Sequence, residues 1–148
     1  MLINGTPEGF FQSYRGLRQG DPLSPLLFIL VMEALSRMLS LGVQRGLLEC
    51  FDLVIASGPV SVSHLLYADN TLVFCGADAT QIGHLRCMLL CFEAVSGLKV
   101  NLAKFEIAPI GEVVHLPQLA EILGCKISFF PISYLGLPLG ATYKDRKV

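Results

Sequence analysis

A segment of helical period dominates the first third of the chain. Between Leu26 and Leu41 nearly every residue is apolar, and the few polar side chains follow one another at spacings of 3, 1 and 3. This spacing predicts a helix with one narrow polar face, buried on its other sides. The polar residues are Glu33, Ser36, Arg37 and Ser40. Asp21-Pro22 and Ser24-Pro25 each offer a cap followed by proline, which is typical of a helix start.

A period of two residues replaces the helical one between Asp52 and Cys75. This alternation predicts β-strands joined by tight turns. The expected strands are Leu53 to Ile55, Val60 to Tyr67 and Thr71 to Cys75, and the expected turns are Ser57-Gly58-Pro59 and Ala68-Asp69-Asn70.

Capping residues delimit a second helix. Asp78 opens it, Gln81 completes a capping box and Gly97 closes it. Its buried stripe is expected to be Ile82, Leu85, Leu89 and Phe92. A short helix over Pro117 to Leu123, ended by Gly124, is expected further on.

The other segments are expected to be extended. They are a hairpin over Leu2 to Gly20 that turns at Gly5 to Gly9, a segment over Lys99 to Ile110, and the tail from Lys126. The order of elements predicts an α+β fold, with helices packed on one face of a small antiparallel sheet. The length of 148 residues suits one domain.

Composition adds an excess of apolar residues to this picture. The chain is 53% hydrophobic and only 16% charged, so it contains membrane spans or is a piece of a larger core. A span needs about 20 apolar residues, whereas the run Leu23 to Met32 is shorter and Glu33 and Arg37 follow it. The N-terminus lacks the pattern of a signal peptide. We therefore expect an intracellular piece of a larger core, with no membrane contact, that self-associates through uncovered apolar surface.

Cysteines and histidines show no metal-binding pattern of known spacing. Five cysteines are an odd number, and none forms a CxxC pair. Cys87 and Cys91 lie four apart on the second helix, a spacing that suits a metal ion, but small buried apolar residues in a reducing compartment are favoured. The net charge of -1 argues against autonomous binding of nucleic acid.

Two segments are candidates for chemistry. Asp69 lies in a turn between two apolar strands, where a carboxylate suits Mg²⁺, although aspartate is also a common residue of ordinary turns. Arg15 to Asp21, reading RGLRQGD, places arginines and glycines before a helix N-terminus, which favours anions such as phosphate. A charged loop with a helix cap is the alternative interpretation of that segment.

Four segments in order resemble the reverse transcriptase domain of plant non-LTR (LINE-type) retrotransposons. RGLRQGDPLSP, followed by LLFILVMEAL, resembles motif B, and HLLYADNTLVFC resembles motif C. SGLKVNLAKFEI is similar to the motif D region, and YLGLPLG to the segment that follows it. The resemblance runs from about Ile3 to the C-terminus, so residues 1–148 are expected to be a partial polymerase palm.

The resemblance implies an RNA-directed DNA polymerase that uses Mg²⁺ or Mn²⁺, an RNA template, a DNA primer and dNTP. Asp69 and Asn70 would be catalytic, with Asp69 a metal ligand and Tyr67 beside the substrate. Gln19 and Gly20 would lie by the nucleotide and template, with Arg15 and Arg18 near phosphates. Lys99 or Lys104 would be the motif D lysine near the triphosphate, and both stay open.

Two departures from the family lower the expected activity. Asn70 replaces the second motif C aspartate and lacks its charge. The motif A aspartate lies upstream of motif B in the family, and the only acidic residue before Arg15 here is Glu8, which does not match. Fingers, thumb and endonuclease are also expected to be absent. The chain is therefore expected to be inactive alone, and a non-catalytic interaction module or a remnant without function are the alternatives.

Overall fold

The computed structural model describes residues 2–3, 6–7, 20–55 and 58–140. These residues form three α-helices, one 3-10 turn and ten short strands. The helices are α1 (Leu23–Gln44), α2 (Ala79–Ser96) and α3 (Leu116–Leu123), and the 3-10 turn is Leu102–Lys104. The strands are β1 (Leu2–Ile3), β2 (Thr6–Pro7), β3 (Phe51–Ile55), β4 (Gly58–Val62), β5 (His64–Tyr67), β6 (Asn70–Val73), β7 (Glu106–Ile107), β8 (Lys126–Ile127), β9 (Ile132–Tyr134) and β10 (Leu137–Leu139).

The strands of the described residues form two-stranded sheets rather than one. The pairs β1–β2, β3–β4, β5–β6 and β9–β10 are antiparallel. The pair β7–β8 is parallel, and α3 provides the crossover that parallel strands need. The mixed helix and strand content confirms the α+β class, but the expected single antiparallel sheet is replaced by five separate pairs.

Some residues that were expected in two turns belong to strands instead. Thr6 and Pro7 belong to β2, and Gly58 and Pro59 to β4. Pro59 pairs with Val54 in a two-stranded ribbon, where a residue without an N–H is tolerated because each strand has a free edge. The strand expected over Val60 to Tyr67 is divided into β4 and β5.

Side-chain caps fix α2 at its start, and a glycine ends it. The Asp78 carboxylate accepts hydrogen bonds from the backbone N–H groups of Thr80 and Gln81 at 2.9 and 3.0 Å. Gln81 does not complete the capping box. Its Oε1 accepts instead from the N–H groups of Glu49 and Gly76, at 2.9 and 2.8 Å. Gly97 ends the helix with a φ of 72°, as expected.

The core lies mainly between helices. The predicted stripe of α2 is buried and packs against Leu35 and Leu39 of α1, and against Leu119 and Leu123 of α3. Side chains of the β5–β6 hairpin are partly buried against this cluster, among them Leu66 and Val73. The strands therefore flank a helical core, instead of forming a sheet that the helices cover.

Helix α1 departs most from its expected environment. Only Leu35, Leu39 and Gly42 of this helix are buried, whereas its N-terminal half presents apolar side chains to solvent. The exposed ones there are Leu23, Leu26, Leu27, Ile29 and Leu30. The expectation of burial on most sides is wrong for the chain by itself.

Run length does not separate α1 from a membrane span. The helix continues past Glu33 and Arg37 for 22 residues in all, and it is long and apolar enough to cross a membrane. The expectation that run length excludes a span here is therefore wrong. A helix that contributes to the core of a soluble protein passes the same test, and the C-terminal half of α1 does contribute to the core.

Candidate functional site

The β5–β6 hairpin carries the candidate aspartate. Tyr67 pairs with Asn70, so Ala68 and Asp69 form a two-residue turn, and Asn70 is the first residue of β6 rather than part of the turn. Ala68 has a φ of 51°, in the left-handed region that tight hairpin turns use. The turn projects the Asp69 carboxylate from the end of a paired ribbon.

The predicted motif C residues come together at this end and face solvent. Tyr67 is 63% exposed, and Ala68, Asp69 and Asn70 are exposed as well. The Asn70 amide Nδ2 lies 3.5 Å from Asp69 Oδ1. Since asparagine offers one carbonyl oxygen and no charge, the pair supplies a single carboxylate.

An open groove runs between α1 and the hairpin. Its volume is about 450 Å³, and its walls are Phe28, Ile29, Met32, Glu33 and Ser36 of α1 with His64, Leu65, Leu66 and Ala68 of the hairpin. Ala68 therefore borders the groove, and Asp69 is the next residue of the turn. The exposed apolar side chain of Ile29 belongs to the same wall.

His64 joins α1 to the strand that leads to Asp69. Ser36 Oγ lies 2.8 Å from His64 Nε2, and Ser63 Oγ lies 2.8 Å from His64 Nδ1. Burial lowers the pKa of His64. The neutral ring needs one donor and one acceptor as partners, and hydroxyls serve as either. Sequence reasoning missed this link because it treated His64 as an isolated histidine, although Ser36 was expected on the polar face of the helix.

Gly20 and Asp21 precede α1. Gly20 is exposed with a φ of 87°, and the Asp21 carboxylate accepts from the N–H of Leu23 at 2.9 Å. This bond satisfies one of the free donors at the helix start. The other predicted residues of this segment lie outside the described residues. They are Arg15, Arg18 and Gln19.

The two candidate lysines lie after α2. Lys99 is 84% exposed, and its ammonium lies 3.5 Å from the Glu93 carboxylate. The other oxygen of Glu93 accepts from the N–H of Val100 at 2.7 Å. Lys104 is exposed and ends the 3-10 turn. Neither placement distinguishes one lysine from the other as a triphosphate ligand.

The described residues do not fit a two-ion site. Among them, no group of three or more histidine, cysteine, aspartate or glutamate side chains is arranged to hold a metal ion. Two divalent ions need several carboxylates to offset their repulsion. Asp69 with Asn70 offers one, so a site for two Mg²⁺ or Mn²⁺ ions needs carboxylates from beyond this hairpin.

Comparison with known proteins gives the family. Residues 1–139 match the model of the reverse transcriptase (RNA-dependent DNA polymerase) family. An uncharacterised mitochondrial protein of Arabidopsis thaliana is 44% identical over 70 residues, which are 47% of this chain and 56% of that protein. The matched segment thus spans about half the length of that relative, and no solved structure matches the chain. Because the family model covers nearly the whole sequence, the chain belongs to the reverse transcriptase (RNA-dependent DNA polymerase) family.

Proposed function

We propose that the chain is a palm segment of an RNA-directed DNA polymerase from a plant LINE-type retrotransposon, and that it acts inside the cell. The observation that carries the proposal is the β5–β6 hairpin, which presents Asp69 in an exposed two-residue turn. A carboxylate at such a tip is reachable by a primer end and an incoming nucleotide. The family match supports the polymerase ancestry, and the order of the four motifs supports the LINE type.

The substrates follow from the same ancestry: an RNA template, a DNA primer and dNTP. Tyr67, Asp69 and Asn70 are the proposed contacts on the hairpin, and Gly20 lies before the helix that borders the same groove. Arg15, Arg18 and Gln19 are proposed to meet template and phosphates. A cation near the triphosphate would come from Lys99 or Lys104.

The isolated chain is proposed to be inactive. Its hairpin supplies one carboxylate, and the amide of Asn70 cannot balance the charge of a second ion. The family's motif A aspartate has no counterpart among the residues before Arg15. An active site would need that carboxylate from a further polypeptide segment.

A chimaera tests the role of Asp69. Residues 1–148 replace the equivalent segment of an active LINE-type reverse transcriptase that supplies motif A, and primer extension is measured on an RNA template. We expect weak extension that Asn70→Asp raises and Asp69→Ala abolishes. A folded chimaera whose extension is unchanged by Asp69→Ala would refute the assignment.

The isolated chain is the companion measurement. We expect no dNTP incorporation with Mg²⁺ or Mn²⁺. Incorporation that disappears in Asp69→Ala would show that the chain is active by itself, and the proposed inactivity would then be wrong.

One observation favours a second candidate function. The apolar residues of α1 that face solvent, Leu26 and Leu30 among them, form a surface of the kind that binds other proteins. In this alternative the chain is a non-catalytic interaction module. It predicts binding that is unaffected by Asp69→Ala and lost when the α1 surface is made polar.

A further inference from the structure

A polar link joins the two walls of the groove between α1 and the β5–β6 hairpin. Ser36 is the last α1 residue in the wall, and His64 is the first hairpin residue there. Their Oγ and Nε2 atoms lie 2.8 Å apart, within the range of a hydrogen bond. Ala68 is the last hairpin residue in the wall, and Asp69 follows it in the turn. The link and the candidate aspartate therefore lie at opposite ends of β5.

Most other side chains of the groove walls are apolar. They are Phe28, Ile29 and Met32 of α1 with Leu65 and Leu66 of the hairpin. Apolar contacts have no preferred direction, so they hold two elements together without fixing how one slides along the other. Glu33 also lines the groove, but its carboxylate pairs with Arg37 of the same helix at 2.9 Å. A hydrogen bond depends on distance and angle, so the bond between Ser36 and His64 is suited to fix the hairpin against the helix.

The His64 ring is held at both of its nitrogens. Ser63 Oγ lies 2.8 Å from Nδ1, and Ser36 Oγ lies at Nε2. The carbonyl of Ser63 accepts from the N–H of Phe74 at 2.7 Å, directly beyond the β5–β6 ladder. Burial lowers the pKa of His64, so the ring is neutral near pH 7 and offers one donor and one acceptor to the two hydroxyls. A chain of hydrogen bonds thus runs from the helix through the imidazole to the base of the hairpin.

The length of β5 makes the position of Asp69 sensitive to this link. His64 and Tyr67 are the ends of the strand, and three residues of extended chain span about 10 Å. A rotation of the hairpin about its base by about 6° would therefore move the turn by about 1 Å. A misplacement of about 1 Å in a reacting group can lower a rate by about hundredfold. A small change at the base of the hairpin is thus enough to affect chemistry at its tip.

We propose that Ser36 and His64 are positioning residues for the polymerase reaction, because their hydrogen bond sets where the hairpin holds Asp69 relative to α1. The inference rests on the proposed function, in which Asp69 is the metal-binding carboxylate and Gly20, before the start of α1, belongs to the segment that meets nucleotide and template. Neither Ser36 nor His64 contacts the substrate in this proposal. Both act through the placement of the hairpin.

The test uses the chimaera that carries residues 1–148, with Asn70→Asp to strengthen extension. We expect Ser36→Ala and His64→Leu each to lower kcat by about tenfold or more. The KM for dNTP should stay within about twofold, because neither side chain contacts the nucleotide. The double variant should lose no more than either single variant, since both changes remove the same bond. Ser36→Thr keeps a hydroxyl and His64→Gln keeps a polar partner for it, so both should retain most of kcat.

Ser40→Ala is the matched control, because Ser40 lies on the same helix outside the groove wall, and it should leave kcat unchanged. Loss of extension in Asp69→Ala together with full kcat in Ser36→Ala would overturn the positioning role and leave the proposed function standing. Unchanged extension in Asp69→Ala would overturn the proposed function, and the positioning role with it. Additive losses in the double variant, or an equal loss in Ser36→Thr, would also contradict a role for the bond.

Amide hydrogen exchange of the isolated chain provides a readout that needs no activity. We expect the backbone amides of the β5–β6 hairpin to exchange about fivefold faster in Ser36→Ala and in His64→Leu, while the amides of α2 keep their rates. Unchanged exchange of the hairpin in both variants would overturn the proposal whatever the chimaera shows. Equal acceleration in α2 would indicate a general loss of stability instead of a local effect on the hairpin, and would overturn it as well.

Discussion

Asp69 owes its exposure to the length of the turn that holds it. Because Tyr67 and Asn70 still pair across the hairpin, only Ala68 and Asp69 lie beyond the ladder. Asn70 is then a strand residue whose side chain amide lies 3.5 Å from the Asp69 carboxylate. A metal ion bound at this turn would contact one negative charge, that of Asp69. An aspartate at position 70 would add a second.

The substitution Asn70→Asp should strengthen binding of Mn²⁺ at the turn by about thirtyfold, since a unit charge pair at about 4 Å in water contributes about 1 kcal/mol and a divalent ion doubles this to about 2 kcal/mol. Mn²⁺-induced broadening of the amide resonances of residues 68–71 measures it. Asn101→Asp is the matched control, because it adds the same charge at an exposed position outside the hairpin. Equal broadening in both variants would contradict the assignment.

Gln81 determines how the chain passes from β6 into α2. Its side chain oxygen accepts two backbone hydrogen bonds, from Glu49 and Gly76. We expect Gln81→Ala to lower the free energy of unfolding by about 2 kcal/mol, at about 1 kcal/mol for each bond. Urea unfolding measures the loss. Thr80→Ala, at the exposed neighbouring position, should cost less, and an equal cost would show that the two bonds contribute nothing.

Sequence reasoning succeeded where one residue acts on its own neighbours. Asp78 and Gly97 cap α2 as expected, because capping depends on a few adjacent backbone groups. Gln81 was assigned the usual reciprocal bond and instead reaches Glu49, which is 32 positions away. A local pattern cannot indicate such a partner. The exposure of Cys87 and Cys91 was missed for a different reason: they were treated as small buried apolar residues, although the predicted stripe of α2 leaves both on the opposite face.

At the scale of elements, His64 links α1 to the β5–β6 hairpin through the hydrogen bond between its Nε2 and Ser36 Oγ. Burial lowers the pKa of His64 in the folded chain below the unfolded value of 6.5. The unfolded chain therefore binds more protons just below pH 6.5, so the contribution of His64 to stability is present above that value and is lost as pH falls through the folded pKa.

We expect the urea midpoint of the native chain to fall on acidification below pH 6.5, and to fall less in His64→Gln. The Glu33 carboxylate lines the same groove, so Glu33→Gln is scanned in parallel to separate its titration from that of the imidazole. Identical pH profiles for the native chain and His64→Gln would show that titration of His64 does not contribute to the pH dependence of stability.

The sequence pattern predicts the helices more completely than the strands. The stripe of α2 could be predicted residue by residue, because helical period and burial coincide there. The strands could be located but not grouped, since an alternating pattern does not specify partners. Ser63 divides the expected long strand, as its hydroxyl turns to His64 and its carbonyl accepts from the N–H of Phe74. The candidate site was found through motif order, while the link through Ser36 depends on tertiary contact.

At the scale of the whole molecule, the described residues have too little core for their apolar content. Eleven hydrophobic residues are buried, whereas 22 large hydrophobic residues are exposed. Monomeric soluble proteins seldom expose contiguous apolar patches beyond about a few hundred Å². This imbalance supports the interpretation of the chain as a segment whose surfaces are covered in a larger assembly.

The N-terminal half of α1 should therefore drive association of the isolated chain. Leu26 and Leu30 are 55% and 58% exposed and lie one turn apart on α1, so Leu26→Glu with Leu30→Lys places a compatible ion pair on that surface. We expect light scattering to show concentration-dependent association of the native chain and a smaller, uniform species for the double variant.

Val54→Lys, which removes an 88% exposed apolar side chain from β3, is the control and should leave association in place. A native chain that stays monomeric would mean that the exposed α1 surface is tolerated in water, and the need for a covering partner would fall away.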